Sequence, residues 1–311
     1  MPIATYRNAF LIYNPTARGL DLGGMEGIDR ALDALRGAGH GVTPVRTRGP
    51  GTGDEVGREC VRNGADLILV AGGDGTVNEV ANGVVHQPVP FGVLPAGTAN
   101  ILASELGLAG TVEDIARRVA GWVPRRISVG LLTADGGASH RYFLLMAGVG
   151  LDAHIVGLVD PFWKRSQGKL SYMLTGLAEL IRELDEFDAR VGESRWRVTF
   201  ALASRVRNYG STIVITPDAG LFRDDLAMAL FEGSKAYRYL TYLGAVIANK
   251  LEGTEGVTLL HARSAEFHPL GDEPVYVQVD GELAGALPAT VEIVPGALTL
   301  LVPPGLDTWT T

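Results

Sequence analysis

The sequence contains very little cysteine and no long uninterrupted run of apolar residues. Cys60 is the only cysteine among 311 residues, which excludes an intramolecular disulfide and a cysteine-based zinc site. No stretch approaches the roughly 20 apolar residues that a membrane-spanning helix needs. The nearest candidate, residues 142–159, is interrupted by glycines, Asp152 and His154. We therefore expect a protein without a membrane-spanning helix.

Positive charge is also scarce. The chain has 27 Lys and Arg against 35 Asp and Glu, a formal net charge of −8. This balance argues against nucleic-acid binding, which needs a basic field, and leaves only local attraction to an anionic membrane. The first residues lack the basic segment and apolar core of a secretion signal. We expect a cytoplasmic protein that does not bind nucleic acid; its oligomeric state stays open.

The most informative stretch covers residues 67–80. An apolar run too short for a helix ends at Gly72-Gly73-Asp74-Gly75-Thr76, and a helix-compatible segment follows, in which Thr76 and Glu79 have the spacing of a capping box. This order predicts a buried strand, a tight turn and a helix N-terminus. Exposed N–H groups and the helix dipole then favour phosphate, and glycines let the backbone approach it. An ordinary connection between a strand and a helix has the same pattern.

Predicted strands and helices alternate through the first third of the chain. Strands are expected at residues 9–13, 42–47, 67–71 and 91–94, with helices between them. Such alternation indicates a parallel sheet with helices on both faces, and ligands collect at the carboxyl ends of its strands. Asn14, Thr47, the glycine turn and residues 95–100 all lie at the carboxyl ends of predicted strands. From residue 127 onward, many short apolar segments separated by turn residues indicate a β-sandwich, with strands predicted at 141–147, 291–294 and 298–302 among others.

Four motifs in this order resemble the diacylglycerol kinase catalytic family, which includes bacterial lipid kinases and sphingosine kinases. They are Asn14-Pro15, the glycine turn followed by Asn78-Glu79, Pro95-Ala96-Gly97-Thr98-Ala99-Asn100, and Asp280-Gly281-Glu282. The resemblance extends over nearly the whole chain. It implies an N-terminal three-layer αβα nucleotide domain at residues 1–126, to which about 303–311 return. A C-terminal β-sandwich-like lipid-substrate domain would occupy residues 127–302.

The resemblance implies an ATP- and Mg²⁺-dependent lipid kinase that phosphorylates a hydroxyl of diacylglycerol or a related lipid. The lipid would be met at the membrane surface, with peripheral contact to the inner face of the membrane. Asp74 would hold the catalytic magnesium ion, and Glu282 would accept the proton of the lipid hydroxyl. The nucleotide would be contacted by Asn14, Pro15, Thr47, Gly72, Gly73, Asp74, Gly75, Thr76, Asn78 and Thr98.

Four of these residues also have an ordinary structural interpretation. Asn14 before proline is typical of an Asx turn, Asp74 can bond its own turn backbone, and Thr98 can cap the helix predicted to begin at Gly97-Thr98. Glu282 would by spacing alone be a solvated residue after a hairpin turn. Two rival functions stay open as well: a NAD kinase-like enzyme, which shares the glycine turn, and a catalytically silent nucleotide- or lipid-binding protein.

Three further elements come from the same resemblance. A second, structural magnesium site would use the side chain of Asp224 and the carbonyls of Leu221 and Leu226, although Asp225 stands where the family has glycine. Asp152 would either hydrogen-bond the lipid headgroup or cap a helix. Residues 163–169 and the apolar helix predicted from Gln167 form a candidate membrane-facing surface, for which packing in the core is the alternative.

Overall fold

The computed structural model describes residues 5–21, 24–151, 184–210, 213–235 and 237–306. The chain divides into two compact units. Unit 1 comprises Met1–Val129, Leu221–Arg223 and Val294–Thr311, and unit 2 comprises Gly130–Gly220 and Asp224–Ile293. The chain thus returns to unit 1 at residue 294, not at the expected 303, because Thr299 and Leu300 pair with strand residues of unit 1.

Unit 1 contains a parallel sheet. Its first four strands, β1 to β4, are Ala9–Tyr13, Val42–Arg46, Leu67–Gly72 and Pro90–Pro95. They lie in the order β2-β1-β3-β4, and every pair is parallel. All residues of β1 and β3 are buried, as expected for strands covered on both faces of a sheet.

Two helix pairs pack together in unit 1, α2 with α6 and α3 with α4. They cover the sheet and complete a three-layer αβα fold, which confirms the predicted class. Ile28, Leu32 and Leu35 recur at helical spacing and are buried along one side of α2. Helices α1 to α6 are Arg18–Asp21, Gly24–Gly37, Gly53–Arg62, Asp74–Val84, Ile101–Glu105 and Val112–Arg118.

Unit 2 consists mostly of antiparallel strands, and its described residues also include helix α7, Tyr237–Ile247. Two of the strands given next, β5 and β18, also belong in part to unit 1. Strands β5 to β18 are Val123–Ala134, Ser139–Phe143, Met146–Gly150, Phe187–Val191, Ser194–Val198, Phe200–Ser204, Asn208–Tyr209, Ile213–Val214, Leu226–Phe231, Val257–Ala262, Ser264–Pro269, Tyr276–Val279, Glu282–Ala286 and Ala289–Val302.

The strands of unit 2 form two main layers. One sheet has the order β14-β13-β10-β7-β16-β17, and the other contains β18, β15, β8 and β9 with the β5–β6 hairpin. Side chains from both layers share one core, in which Phe187 and Phe267 of the second layer lie with Met228 and Val277 of the first. The two phenylalanine rings meet edge to face, 6.1 Å apart. This confirms the β-sandwich-like fold.

Some predicted strands have different bounds. The segment 141–147 is divided between β6 and β7, because β6 pairs with β5 whereas β7 pairs with β10 and β16. Predicted strands at 291–294 and 298–302 are parts of β18. Asp152, residues 163–169 and the helix predicted from Gln167 lie outside the described residues. Within the described part of the chain, no helix is long and apolar enough to cross a membrane.

Candidate functional site

The carboxyl ends of β1, β3 and β4 lie at one edge of the parallel sheet of unit 1. Tyr13 pairs with Ala71, and Gly72 pairs with Pro95. The residues assigned to the nucleotide lie in the loops that follow the four strands or next to these loops. Gly72 ends β3, and Asp74, Gly75, Thr76 and Asn78 lie in α4, whereas the loops carry Asn14, Pro15, Thr47, Gly73 and Thr98. The structure therefore brings these loops to one edge, while their contacts with a nucleotide remain predictions.

The glycine turn forms a strand, a turn and a helix, as predicted. Gly73 is the N-cap of α4, and Val77 donates the first intrahelical hydrogen bond to its carbonyl, 3.0 Å away. The N–H groups of Asp74, Gly75 and Thr76 precede that bond and point out of the helix start. A Cβ atom on Gly72 would lie 2.7 Å from the Thr76 Cβ, so this position requires glycine.

The predicted capping box is wrong. Thr76 is the third helical residue after Gly73, and α4 has no side-chain cap. Asn14 donates to the Thr76 hydroxyl over 3.2 Å. The Glu79 carboxylate instead accepts the N–H groups of Gly51 and Gly53, each at 2.9 Å. Both side chains thus join α4 to neighbouring loops, because partners outside the helix are within reach.

Asn14 both forms an Asx turn and contacts the glycine turn. Its Oδ1 accepts from the N–H and the hydroxyl of Thr16 at 3.0 and 2.9 Å, which forms an Asx turn that leaves Pro15 exposed. Its N–H donates to the carbonyl of Ala71 over 3.1 Å, and its amide contacts the glycine turn. Asn14 therefore positions the turn whether or not it touches a nucleotide.

Asp74 joins the glycine turn to the loop after β4. Its carboxylate oxygens accept the N–H groups of Ile101 and Leu102 at 3.1 and 3.3 Å. Burial raises the pKa of this carboxyl, and the hydrogen bonds from these N–H groups oppose the increase. The Asp74 carboxyl thus bonds the backbone of its own turn, as one of its ordinary interpretations anticipated, and the backbone of another loop as well.

The loop after β4 does not open a helix at Gly97-Thr98, and that prediction is wrong. Helix α5 begins at Ile101, and Thr98 is exposed within the loop. Asn100 adopts a left-handed conformation with φ 48°, which asparagine tolerates, and its side chain bonds the N–H and the carbonyl of Gly97 at 2.8 and 2.9 Å. This closed turn delays the helix start by three residues.

The two glycine-containing loops touch backbone to backbone. A Cβ atom on Gly97 would lie 2.4 Å from the Cα of Gly73. Gly19 makes a similar approach, because its N–H donates to the carbonyl of Ala96 over 2.8 Å and a Cβ there would meet that oxygen at the same distance. Side chains at these positions would separate the loops.

Two other predicted residues of unit 1 are buried. Thr47 is 7% exposed and its N–H donates to the Tyr13 carbonyl over 2.9 Å. Asn78 is 1% exposed, and Asn82 donates to its carbonyl over 2.9 Å. Asn78 thus lies on the buried side of α4, which favours a supporting role.

In unit 2, Glu282 is the first residue of β17 and follows a two-residue hairpin turn. Asp280 and Gly281 have φ values of 48° and 86°, as a type I′ turn requires. The Asp280 carboxylate accepts the N–H groups of Leu144, Leu145 and Met146 at 2.9 to 3.0 Å. These bonds tie the turn to the segment that joins β6 and β7.

Glu282 is partly exposed and forms an ion pair. Arg141 of β6 donates to its Oε2 over 2.5 Å, and the Glu282 side chain is 40% exposed. Sequence reasoning missed Arg141, since the two residues are 141 positions apart and no local pattern joins them. A carboxylate held in this way is oriented, and it is the only predicted catalytic residue in unit 2.

The residues of the expected structural magnesium site belong to different units. Leu221 is in unit 1, whereas Asp224 and Leu226 are in unit 2. Asp225, the residue in place of glycine, is not among the described non-glycine residues with positive φ. Its carboxylate lies 3.3 Å from the Nδ1 of His261. The loop therefore forms without the left-handed turn that glycine would permit.

Family models match both units of the chain. The diacylglycerol kinase catalytic domain matches residues 8–132, and the YegS C-terminal NAD kinase beta sandwich-like domain matches residues 146–302. A diacylglycerol kinase of Bacillus subtilis is 26% identical over 293 residues, which cover 91% of this chain and 92% of that protein. A probable lipid kinase YegS-like protein of Chromohalobacter salexigens is 26% identical over 287 residues, 89% of each chain.

Solved structures show the same fold. The crystal structure of a putative diacylglycerol kinase from Bacillus anthracis superposes with a TM-score of 0.77 and 20% sequence identity. The superposition covers 96% of this chain and 98% of that one.

Proposed function

This chain belongs to the diacylglycerol kinase catalytic family, and from that premise we propose that it transfers the γ-phosphoryl group of ATP to a hydroxyl of diacylglycerol or a related lipid. The observation that carries the proposal is the contact between the glycine turn and the loop after β4. Gly73 and Gly97 meet without side chains between them. The carboxylate of Asp74 fixes the second loop by accepting the N–H groups of Ile101 and Leu102. Phosphoryl transfer depends mainly on such positioning and on charge stabilisation.

The nucleotide phosphates would bind at the start of α4. The N–H groups of Asp74, Gly75 and Thr76 precede the first intrahelical bond, and the helix dipole favours an anion there. Thr98 is exposed in the adjoining loop and can donate its hydroxyl. Asn14 and Thr47 follow neighbouring strands, and they complete the proposed set together with Pro15, Gly72 and Gly73.

The carboxylate of Asp74 would hold the catalytic magnesium ion, directly or through water. Its two hydrogen bonds from Ile101 and Leu102 orient an acceptor that has lone pairs left for another ligand. This donor chemistry fits Mg²⁺, which kinases commonly bind through one or two carboxylates and the substrate phosphates. When bound, the ion would neutralise the charge of the triphosphate.

Glu282 would accept the proton of the lipid hydroxyl. Arg141 bonds its Oε2 and orients the carboxylate, and Oε1 is the oxygen proposed to take the proton. Asp280 and Gly281 set the direction in which the side chain leaves the turn. We further propose that the protein works in the cytoplasm and meets its lipid peripherally at the membrane surface.

The test is transfer of labelled γ-phosphate from ATP and Mg²⁺ to a panel of lipids in mixed micelles, with NAD as a parallel acceptor. Label in an organic-extractable product of the wild type, but not of Glu282→Gln, is the expected result. NAD is included because the family model that matches residues 146–302 is described as an NAD kinase beta sandwich-like domain. Label in NAD alone would replace the lipid by a nucleotide acceptor, and ATP binding without transfer would indicate a silent scaffold.

A further inference from the structure

The largest fully buried side chain among the described residues is that of Arg205, with 0% exposure. Burial lowers the pKa of its guanidinium to about 10, so the group stays charged at neutral pH. A charge removed from water needs opposite charges close to it. Arg205 must therefore belong to an electrostatic centre inside unit 2.

On one side of Arg205 lies the turn that precedes β17. Arg205 directly follows β10, and its N–H donates to the carbonyl of Leu145 over 2.8 Å. The N–H of Leu145 in turn donates to Asp280 Oδ1 over 3.0 Å. The Asp280 carboxylate is one of three that stabilise the charged guanidinium.

On the other side lies the start of β13. Ser204, the last residue of β10, pairs with Ala227. Arg205, the next residue of the chain, is therefore level with the start of β13. Asp224 and Asp225 directly precede this strand, and both carboxylates stabilise the guanidinium. Asp225 also has His261 as a partner at 3.3 Å. The register of the sheet thus places acidic segments on both sides of one buried cation.

A magnesium ion fits this surrounding poorly. Mg²⁺ demands near-octahedral oxygen ligands, and a neighbouring guanidinium would repel it. Asp224, the side chain that the resemblance assigns to the ion, already has the charge of Arg205 near it. Asp225 contacts His261 and lacks the positive φ available to the glycine it replaces. These carboxylates thus already have a buried cation among them, the guanidinium of Arg205.

We propose that the guanidinium of Arg205 is the resident cation of this acidic centre. It takes the place of the structural magnesium ion that the resemblance implies for residues 221–226. It neutralises Asp224 and joins the segment before β13 to the turn before β17. Unit 2 then needs no divalent ion at Asp224 for its stability. This inference does not depend on the proposed kinase activity.

The first test measures Mn²⁺ binding to the nucleotide-free, full-length protein by equilibrium dialysis, with Asp224→Asn dialysed in parallel. We expect the wild type and the variant to bind the same amount of Mn²⁺. The unfolding midpoint of the wild type should likewise stay the same in Mg²⁺ and in EDTA. An equivalent of Mn²⁺ that is bound by the wild type and lost in Asp224→Asn would overturn the proposal.

The second test compares Arg205→Met with Arg207→Met, an exposed arginine two residues further along the same segment. Arg205→Met should lower the thermal unfolding midpoint clearly, and Arg207→Met should leave it unchanged. Adding Asp224→Asn should then lower the unfolding midpoint less in the Arg205→Met background than in the wild type, because the positive charge that Asp224 faces has already been removed. Equal midpoints for both arginine variants would contradict the proposal. If Arg205→Met does not fold, the dialysis of the wild type decides.

Discussion

The carboxylate of Asp74 accepts the backbone N–H of Ile101 over 3.1 Å, although the two residues are 27 positions apart. Asp74 is the first residue of α4, and Ile101 is the first residue of α5. One side chain at the start of a helix thus fixes the start of another. Two loops that the sequence presents as separate motifs are in this way one structural piece.

Asp74→Asn should weaken Mg-ATP binding at least tenfold. Asparagine keeps one oxygen for the two N–H groups of Ile101 and Leu102, and it removes the charge proposed to hold the metal ion. Isothermal titration with Mg-ATP measures the change, and unaltered affinity would show that the ion is held elsewhere.

The same residue predicts a pH dependence of nucleotide binding. Burial raises the pKa of Asp74, so its carboxylate becomes protonated at a higher pH than an ordinary aspartate, as the pH falls. In the wild type, Mg-ATP affinity should therefore decrease as the pH is lowered through the raised pKa of Asp74. The Asp74→Asn variant, which cannot titrate there, should show a flatter profile; matching profiles would refute the assignment.

Gly97→Ala should separate the two loops. The added Cβ would lie 2.4 Å from the Gly73 Cα, which forces the backbone to move at a cost of about 1–3 kcal/mol of stability. Mg-ATP affinity should fall with it. Gly121→Ala is the matched control, because a Cβ there meets no atom within 4 Å. Similar effects of both substitutions on nucleotide binding would contradict the proposed contact.

Glu79→Gln should loosen the loop after β2. The carboxylate accepts the N–H groups of Gly51 and Gly53, and glutamine can accept with only one of its two terminal atoms. We expect a loss of about 1–2 kcal/mol in the free energy of unfolding, measured with urea. Glu55→Gln, on an exposed position of α3, should change it little.

Arg141→Met should lower kcat and leave the KM for ATP unchanged. It removes the side chain that orients Glu282, and Arg141 is not among the residues proposed to bind the nucleotide. Arg141→Lys keeps the charge and should retain more activity than Arg141→Met, while Arg207→Met serves as a control for loss of an exposed arginine. A rise in the KM for ATP with unchanged kcat would remove Arg141 from the role of positioning the base.

The local features of unit 1 were predictable from the sequence. The strand, turn and helix around Gly72-Gly73 follow from an apolar run that ends at glycines, and the structure has all three. The side-chain partners were not predictable in the same way. Thr76 and Glu79 have the spacing of a capping box, but neighbouring loops supply other partners to both. Local spacing cannot reveal which loop comes within hydrogen-bonding distance.

Charged pairs in unit 2 show the same limit. Arg141 and Glu282 lie on strands far apart in the sequence, and Arg205 follows an apolar strand with no sign of its acidic neighbours. Only the order and register of the strands place Asp280 on one side of Arg205 and Asp225 on the other.

The sequence by itself determined the two-part architecture, the loops at the carboxyl ends of the parallel strands and the family, because these depend on local periodicity, on glycine and on motifs in order. The tertiary structure decided where α5 begins, what Asp74 and Glu79 hold, and which cation neutralises the acidic segments of unit 2. Those outcomes depend on contacts between residues that are distant along the chain, and such contacts exist only once sheet order and register are fixed.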